Sequence, residues 1–251
     1  MPRSTTHFGF HEVPETDKSE LVRRVFDSVA GRYDLMNDLM SAGVHRLWKS
    51  TLLDMIDPAP DHTLLDVAGG TGDIALGFME RLGAPAGRGH VVICDVNPAM
   101  VAIGRDRALD RGLTEGATFV VGDAERLPFA DSSVDVYTIG FGLRNVTHPV
   151  AALAEARRVL RPGGRFFCLE FSRVVLPVLD RIYDLYSFAV LPSLGELVAG
   201  DRAAYEYLVE SIRRFPSQEG LAGLMSAADF AFVRWRNLSG GIAAIHSGWR
   251  I

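Results

Sequence analysis

The chain has 251 residues, of which 48% are hydrophobic and 23% charged, the composition of a globular protein rather than a disordered or fibrous one. Lys and Arg total 26 against 31 Asp and Glu, a formal charge of -5, which argues against a broad nucleic-acid interface because that needs a basic face. No apolar run reaches the ~18–20 residues needed to cross a bilayer, since the stretch 174–199 is broken by Asp180, Arg181, Asp184 and Glu196. The start, MPRSTTHFGF, has neither the apolar core of a signal peptide nor the make-up of a transit peptide, so a cytoplasmic location is expected. Cys94 and Cys168 lie in apolar runs and read as packed core thiols of a reducing compartment.

In chain order, residues 1–19 are polar and are expected to be a flexible start. From 20 to about 56, apolar residues recur at three- and four-residue spacing (Val22, Val25, Phe26, Val29, then Met36, Leu39, Met40), predicting N-terminal capping helices. The rhythm then changes to short β-rich runs at 63–68, 90–96, 117–121, 134–139 and 164–171, with helical segments between most of them. Near-continuous apolar strands alternating with helices predict a parallel sheet covered on both faces. Residues 231–238 and 241–246, separated by Ser239-Gly240, predict a closing antiparallel hairpin. Between the fifth strand and that hairpin lies an insertion, about 172–228, expected to act as a lid at the carboxyl edge of the sheet. Residues 20–251 thus read as one domain of α/β, Rossmann-like class.

The first strand runs into Gly69-Gly70-Thr71-Gly72-Asp73 and then a helix. Glycines here let backbone N–H groups approach a ligand at the positive end of the helix, and the run Gly70-x-Gly72-x-x-Ala75 also satisfies a dinucleotide fingerprint. Asp95 ends the second strand, where a carboxylate can take both hydroxyls of a ribose. Standing before Asn97-Pro98, it could instead cap a helix. The pair indicates an adenosine-containing ligand and leaves NAD and S-adenosylmethionine both open. After the third strand, Asp123 and Ala124 can receive an adenine amino group and ring. Gly140-Phe141-Gly142-Leu143-Arg144-Asn145 follows the fourth strand, and Leu160-Arg161-Pro162-Gly163-Gly164 turns into the fifth.

The strings DVAGGTGDIA, GDAERLPF and RVLRPGG resemble the motif set of class I S-adenosylmethionine-dependent methyltransferases, with Ala68 where many of them have the first loop glycine. FDSVAGRYDLMNDLMSAGVHRLWK, TIGFGLRNVT, LEFS, YSFAVLP and YLVESIRRFP more specifically resemble the UbiE-type C-methyltransferases of ubiquinone and menaquinone biosynthesis, from about Thr6 to the end. The resemblance implies a seven-stranded, mostly parallel methyltransferase sheet with an antiparallel last strand. It implies S-adenosyl-L-methionine as cofactor and methylation of a ring carbon of a polyprenylated quinol. Peripheral contact with the inner face of a membrane, a quinone-biosynthesis complex and a homodimer are compatible with it, and the sequence leaves the oligomeric state and the complex open. By position, Gly70, Thr71, Asp95, Asp123, Ala124 and Gly140 are the implied cofactor contacts. Family members often carry Ser at the last of these, so here at most a backbone contact is expected. Weaker alternatives are a methyltransferase of another lipophile, an NAD-dependent oxidoreductase, and a non-catalytic quinone-pathway subunit.

An aromatic ring carbon is a weak nucleophile until a ring hydroxyl loses its proton, and phenols titrate near ~10. The site must therefore stabilise a phenolate or supply a base. Arg144 and Asn145 are the catalytic candidates, Arg144 to stabilise the oxyanion and Asn145 to orient a hydroxyl or a water. The competing reading is an ion pair for Arg144 and a turn cap for Asn145. Asp73 is a second proton acceptor or simply a helix start. Tyr33 and Asp34 read either as part of a helix over the cofactor or as core. Tyr183, Tyr186 and Phe188 line a prenyl tunnel or pack. No metal site is expected, since His7 and His11 lack a third ligand; His45 and His148 read as surface or helix-end residues.

Overall fold

The computed structural model describes residues 4–29, 37–38, 41, 43–83, 90–175 and 202–251. Tyr33, Asp34, Met36, Leu39 and Met40 of the capping segment, and Tyr183, Tyr186 and Phe188 of the insertion, lie outside the described residues. Strands β1 (Thr5–Phe8) and β2 (His11–Pro14) pair antiparallel where the composition suggested a flexible start. Gly9, at φ +58°, supplies the left-handed conformation that lets the two strands turn within two residues. Helix α1 (Glu15–Val29) follows at once, with Glu15 and Asp17 in its first turn, where the helix dipole favours negative charge. Helix α2 (His45–Ile56) buries Trp48, Leu52, Leu53 and Ile56, spaced three and four residues apart, against the sheet.

Strands β3 (Thr63–Val67), β4 (His90–Asp95), β5 (Ala117–Val121), β6 (Val134–Gly140) and β7 (Leu160–Phe171) are parallel. They alternate with helices α3 (Asp73–Leu82), α4 (Pro98–Asp110) and α5 (Pro149–Val159), and α6 (Arg202–Arg214) and α7 (Gln218–Ala227) precede the last two strands. The hairpin predicted around Ser239-Gly240 is present as β8 (Ala231–Leu238) and β9 (Ala243–Trp249). Its second strand inserts antiparallel beside β7, giving the order β5-β4-β3-β6-β7-β9-β8. The period of two sorts side chains cleanly. Leu64, Ile93, Val136 and Phe167 pack on the α2 and α3 face, while Leu65, Val92, Tyr137 and Phe166 pack on the α5 and α7 face.

The chain moves outward from β3 through β4 to β5 and then returns to the other side of β3 with β6. Loops leaving β3 and β6 therefore diverge at their carboxyl ends, opening the crevice in which doubly wound sheets bind ligands. Among the described residues no helix is long and apolar enough to cross a membrane.

Candidate active site

A cavity of about 290 Å³ lies at that crevice. Its floor is the turn after β3. Ala68 (φ +50°), Gly70 (φ +55°) and Gly72 (φ +83°) are left-handed, so Ala68 carries the strain a glycine there would avoid, of order 1–2 kcal/mol. The methyl of Ala68 also dictates its neighbour, because a Cβ on Gly142 would stand 2.3 Å from it. At Gly69 an added Cβ would fall 2.9 Å from the Asp66 carbonyl oxygen. The strand tip and loop are thus packed backbone to backbone.

Asp95 holds the loop from the next strand. Its Oδ2 accepts the Gly70 N–H at 2.8 Å and its Oδ1 accepts the Asn97 N–H at 2.9 Å. The carboxylate is only 9% exposed, and burial pushes its pKa above the usual carboxylate range against the pull of these backbone donors. The helix cap is Asn97 instead: its Oδ1 accepts from the N–H groups of Ala99 and Met100, and its Nδ2 donates to Asp27 of α1 at 2.7 Å. Beneath the loop, Asp66 accepts the Thr138 hydroxyl at 2.6 Å, and burial raises its pKa to about 7. Its other oxygen is buried and has no hydrogen-bond partner.

Asp123 and the buried Ala124 form the wall beyond β5, the Asp123 carboxylate accepting the Glu125 N–H at 2.9 Å. Val22 and Phe26 of α1 form another wall, and Phe141 and Asn145 also line the cavity. Glu125 ties the walls together, accepting the N–H groups of Thr147 and His148 and meeting His148 Nδ1 at 2.6 Å. His148 Nε2 lies 3.4 Å from Glu15 at the start of α1. The hydrogen bond that His148 donates to the Glu125 carboxylate leads the effects that raise the His148 pKa.

The lining combines polar groups, among them Asp95, Asn97, Asp123 and Asn145, with the apolar Val22, Phe26, Met100 and Phe141. The sequence model of the ubiE/COQ5 methyltransferase family matches residues 14–250. The chain belongs to that family. It is 58% identical over 247 residues to the ubiquinone/menaquinone biosynthesis C-methyltransferase UbiE of Acidiphilium cryptum, covering 98% of this chain and 97% of that one. It is 51% identical to the mitochondrial 2-methoxy-6-polyprenyl-1,4-benzoquinol methylase of Danio rerio, covering 98% and 85%. A solved SAM-dependent methyltransferase from Thermotoga maritima shares the fold with a TM-score of 0.64 at 21% identity, covering 91% and 99%. The family and fold make this an S-adenosylmethionine-dependent C-methyltransferase. The cavity fits that cofactor: Asp95 is a nearly buried acceptor beside a loop in which a Cβ on Gly70 would already press on Met100 at 3.3 Å.

Of the residues singled out in the sequence, Gly70, Asp95, Asp123, Ala124 and Asn145 meet around this one cavity. Three others stand off it. The Thr71 hydroxyl turns away to accept from Arg107 at 2.9 Å and is 2% exposed. Gly140 faces α3, where an added Cβ would come 2.5 Å from Ile74 Cδ1, so a serine side chain there would point at Ile74 rather than at the cavity. Arg144 takes the competing reading of an ion pair: its Nη1 lies 2.8 Å from Glu170, both side chains are almost wholly buried, and it also donates to the Phe141 carbonyl. Burial pushes the Glu170 pKa up and the Arg144 cation opposes it.

Asp73 starts α3 and pairs with Lys49 at 2.6 Å and Arg107 at 3.2 Å. Burial would raise its pKa, but those two cations outweigh it and hold the carboxyl below its usual range, the wrong direction for a base. His45 and His148 both stand at helix starts as expected, His45 buried beside Asp38 and His148 exposed, where it also lines the cavity. The sequence predicted a capping helix over α1 without singling out Val22 and Phe26 as cavity residues, and it missed Tyr207, whose hydroxyl donates to Asn145 Oδ1 at 2.9 Å. The apolar face of α1 was readable at Val22 and Phe26, but Tyr207 lies 62 positions from its partner and no local pattern marks it.

Proposed function

We propose that this chain methylates a ring carbon of a polyprenylated quinol, a 2-polyprenyl-6-methoxy-benzoquinol, a demethylmenaquinol or both. The observation that carries the reading is the meeting of a nearly buried ribose-type acceptor, Asp95, with Phe141 and Asn145 in the lining of a single cavity. The near-full-length identity to proteins named for these reactions supports it.

When bound, S-adenosylmethionine supplies an electrophilic methyl on a sulfonium. Gly70, Asp95, Asp123 and Ala124 are the residues to hold it, with Thr71 and Gly140 bracing the turn and the strand tip from behind. Asn145 supplies the polar contact for the acceptor's hydroxyl oxygen, so that the negative charge developing there meets an N–H donor in a water-poor site. Arg144 acts one step back. Its pairing with Glu170 and its bond to the Phe141 carbonyl fix the loop that carries Asn145. Phe141, Val22 and Phe26 give the ring an apolar slot, and positioning at near-attack distance supplies most of the acceleration.

A prenyl tail partitions into a bilayer, so the reading includes peripheral contact with the inner face of the membrane, self-association, and work beside other enzymes of quinone synthesis. The test is incubation with radiolabelled S-adenosylmethionine and short-tailed benzoquinols and naphthoquinols. Label in the extracted quinone supports the reading; no label in either quinol, beside label in a parallel amine or sterol acceptor, refutes it.

A further inference from the structure

The Asn145 amide presents two ends of opposite character, and half a turn about its last torsion exchanges them. Two neighbours decide which end faces which way. The Phe141 carbonyl, which can only accept, lies 3.5 Å from Nδ2. The Tyr207 hydroxyl sits 2.9 Å from Oδ1 and donates to it. Tyr207 is 4% exposed on α6 and burial raises its pKa further above the ordinary phenol value, so it stays a donor across the working pH range. Its ring is held by Phe8 of β1, stacked at 4.1 Å and 15°. The hairpin carrying Phe8 is fastened to the same helix, because the Phe10 N–H donates to Glu210 at 2.9 Å.

We infer that Tyr207 is a positioning residue for methyl transfer: its hydroxyl occupies Asn145 Oδ1 and thereby turns an amide N–H toward the acceptor's oxygen. This rests on the reading of Asn145 as the group that meets the acceptor. Without the Tyr207 hydroxyl only the 3.5 Å contact with the Phe141 carbonyl orients the amide, so it turns more readily and can offer its oxygen, which repels a phenolate instead of stabilising it. The N-terminal hairpin then serves the site from outside, by pinning the ring that pins the amide.

Tyr207→Phe removes one oxygen and leaves the ring and its stack on Phe8. The expected result is a fall in kcat of about tenfold, with KM for S-adenosylmethionine within twofold and an unchanged melting temperature. The acid limb of the kcat–pH profile moves to higher pH, because a less stabilised phenolate ionises later. Asn145→Ala is slower still, and Asn145→Ala with Tyr207→Phe is no slower than Asn145→Ala alone. A Tyr207→Phe enzyme with normal kcat and normal pH profile, beside a crippled Asn145→Ala, overturns the inference and leaves Asn145 in place. Additive losses in the double variant also overturn it, since the two groups then act separately. Full activity in Asn145→Ala overturns the reading of Asn145 itself. If Tyr207→Phe melts early, Phe8→Leu, which loosens the ring without touching the hydroxyl, must reproduce the pH shift in smaller measure or the inference falls.

Discussion

Replacing Asp95 by Asn keeps the side-chain volume and one carbonyl oxygen while turning the other oxygen into a donor. In the native site both oxygens are spoken for, by the Gly70 N–H at 2.8 Å and the Asn97 N–H at 2.9 Å. Whichever way the new amide turns, its NH2 faces a backbone N–H, so one loop hydrogen bond is lost and two donors are opposed. The ribose side loses a charged acceptor, and a hydrogen bond to a charged group is worth about 1.5–3 kcal/mol. Loss of that bond together with loosening of the Gly70 turn predicts about 3 kcal/mol weaker cofactor binding, or roughly 100- to 200-fold at 1.4 kcal/mol per decade. Titration calorimetry with S-adenosylmethionine and S-adenosylhomocysteine measures this directly, with circular dichroism to establish that the variant is folded. A folded Asp95→Asn protein whose Kd rises by less than about fivefold would show that the carboxylate does not face the ribose.

Asn145→Ala is expected to lower kcat by about 10²–10³-fold, the usual cost of one donor to a developing oxyanion, while S-adenosylmethionine affinity stays within threefold of wild type; steady-state kinetics and calorimetry separate the two. Arg144→Ala strands the buried Glu170 carboxylate and is expected to cost about 3–5 kcal/mol of stability, near 10 °C in melting temperature for a chain of this size, most of it regained by adding Glu170→Gln; thermal unfolding checks both. Asp66 titrates at about 7 in the folded chain against an ordinary carboxylate value of 3.8, so the native state binds the proton more tightly and stability declines as pH rises between those values. Asp66→Asn should therefore gain stability relative to wild type between pH ~4 and ~7 and hold a constant advantage above that, a pattern read from denaturant midpoints across pH.

Much of the scaffold is legible before any coordinates. The runs TLLDV and HVVICD are buried on both faces, so they carry no polar alternation and announce parallel strands. Ser239-Gly240 announces the closing hairpin, and the glycine turn followed by Asp95 announces the adenosine end of the cavity. What escapes is whatever depends on distant pairing. The segment TTHFGFHEVP is too polar and too short to read as a hairpin, yet it folds as one, and Glu15 N–H reaches back to the Ser4 carbonyl across it. Arg144 looks like a free cation until Glu170, 26 residues on, comes beside it from β7. Thr71 and Gly140 occupy the expected positions in the chain, but the Thr71 hydroxyl is turned by Arg107 and the Cα face of Gly140 is closed by Ile74, which the local sequence does not specify. Asp73 sits in a motif that could serve a base, and only the approach of Lys49 from α2 reveals a structural ion pair.

The cavity is expected to deliver a methyl group to a ring carbon lying against Asn145 and Phe141. A single turnover with S-adenosylmethionine labelled with ¹³C in its methyl group, a short-tailed quinol acceptor, and NMR of the extracted product tests it most directly. The label is expected as a methyl on an aromatic carbon, in wild-type protein and at a far lower rate in Asn145→Ala. Label found as a methoxyl, or a rate unchanged by Asn145→Ala, would contradict it.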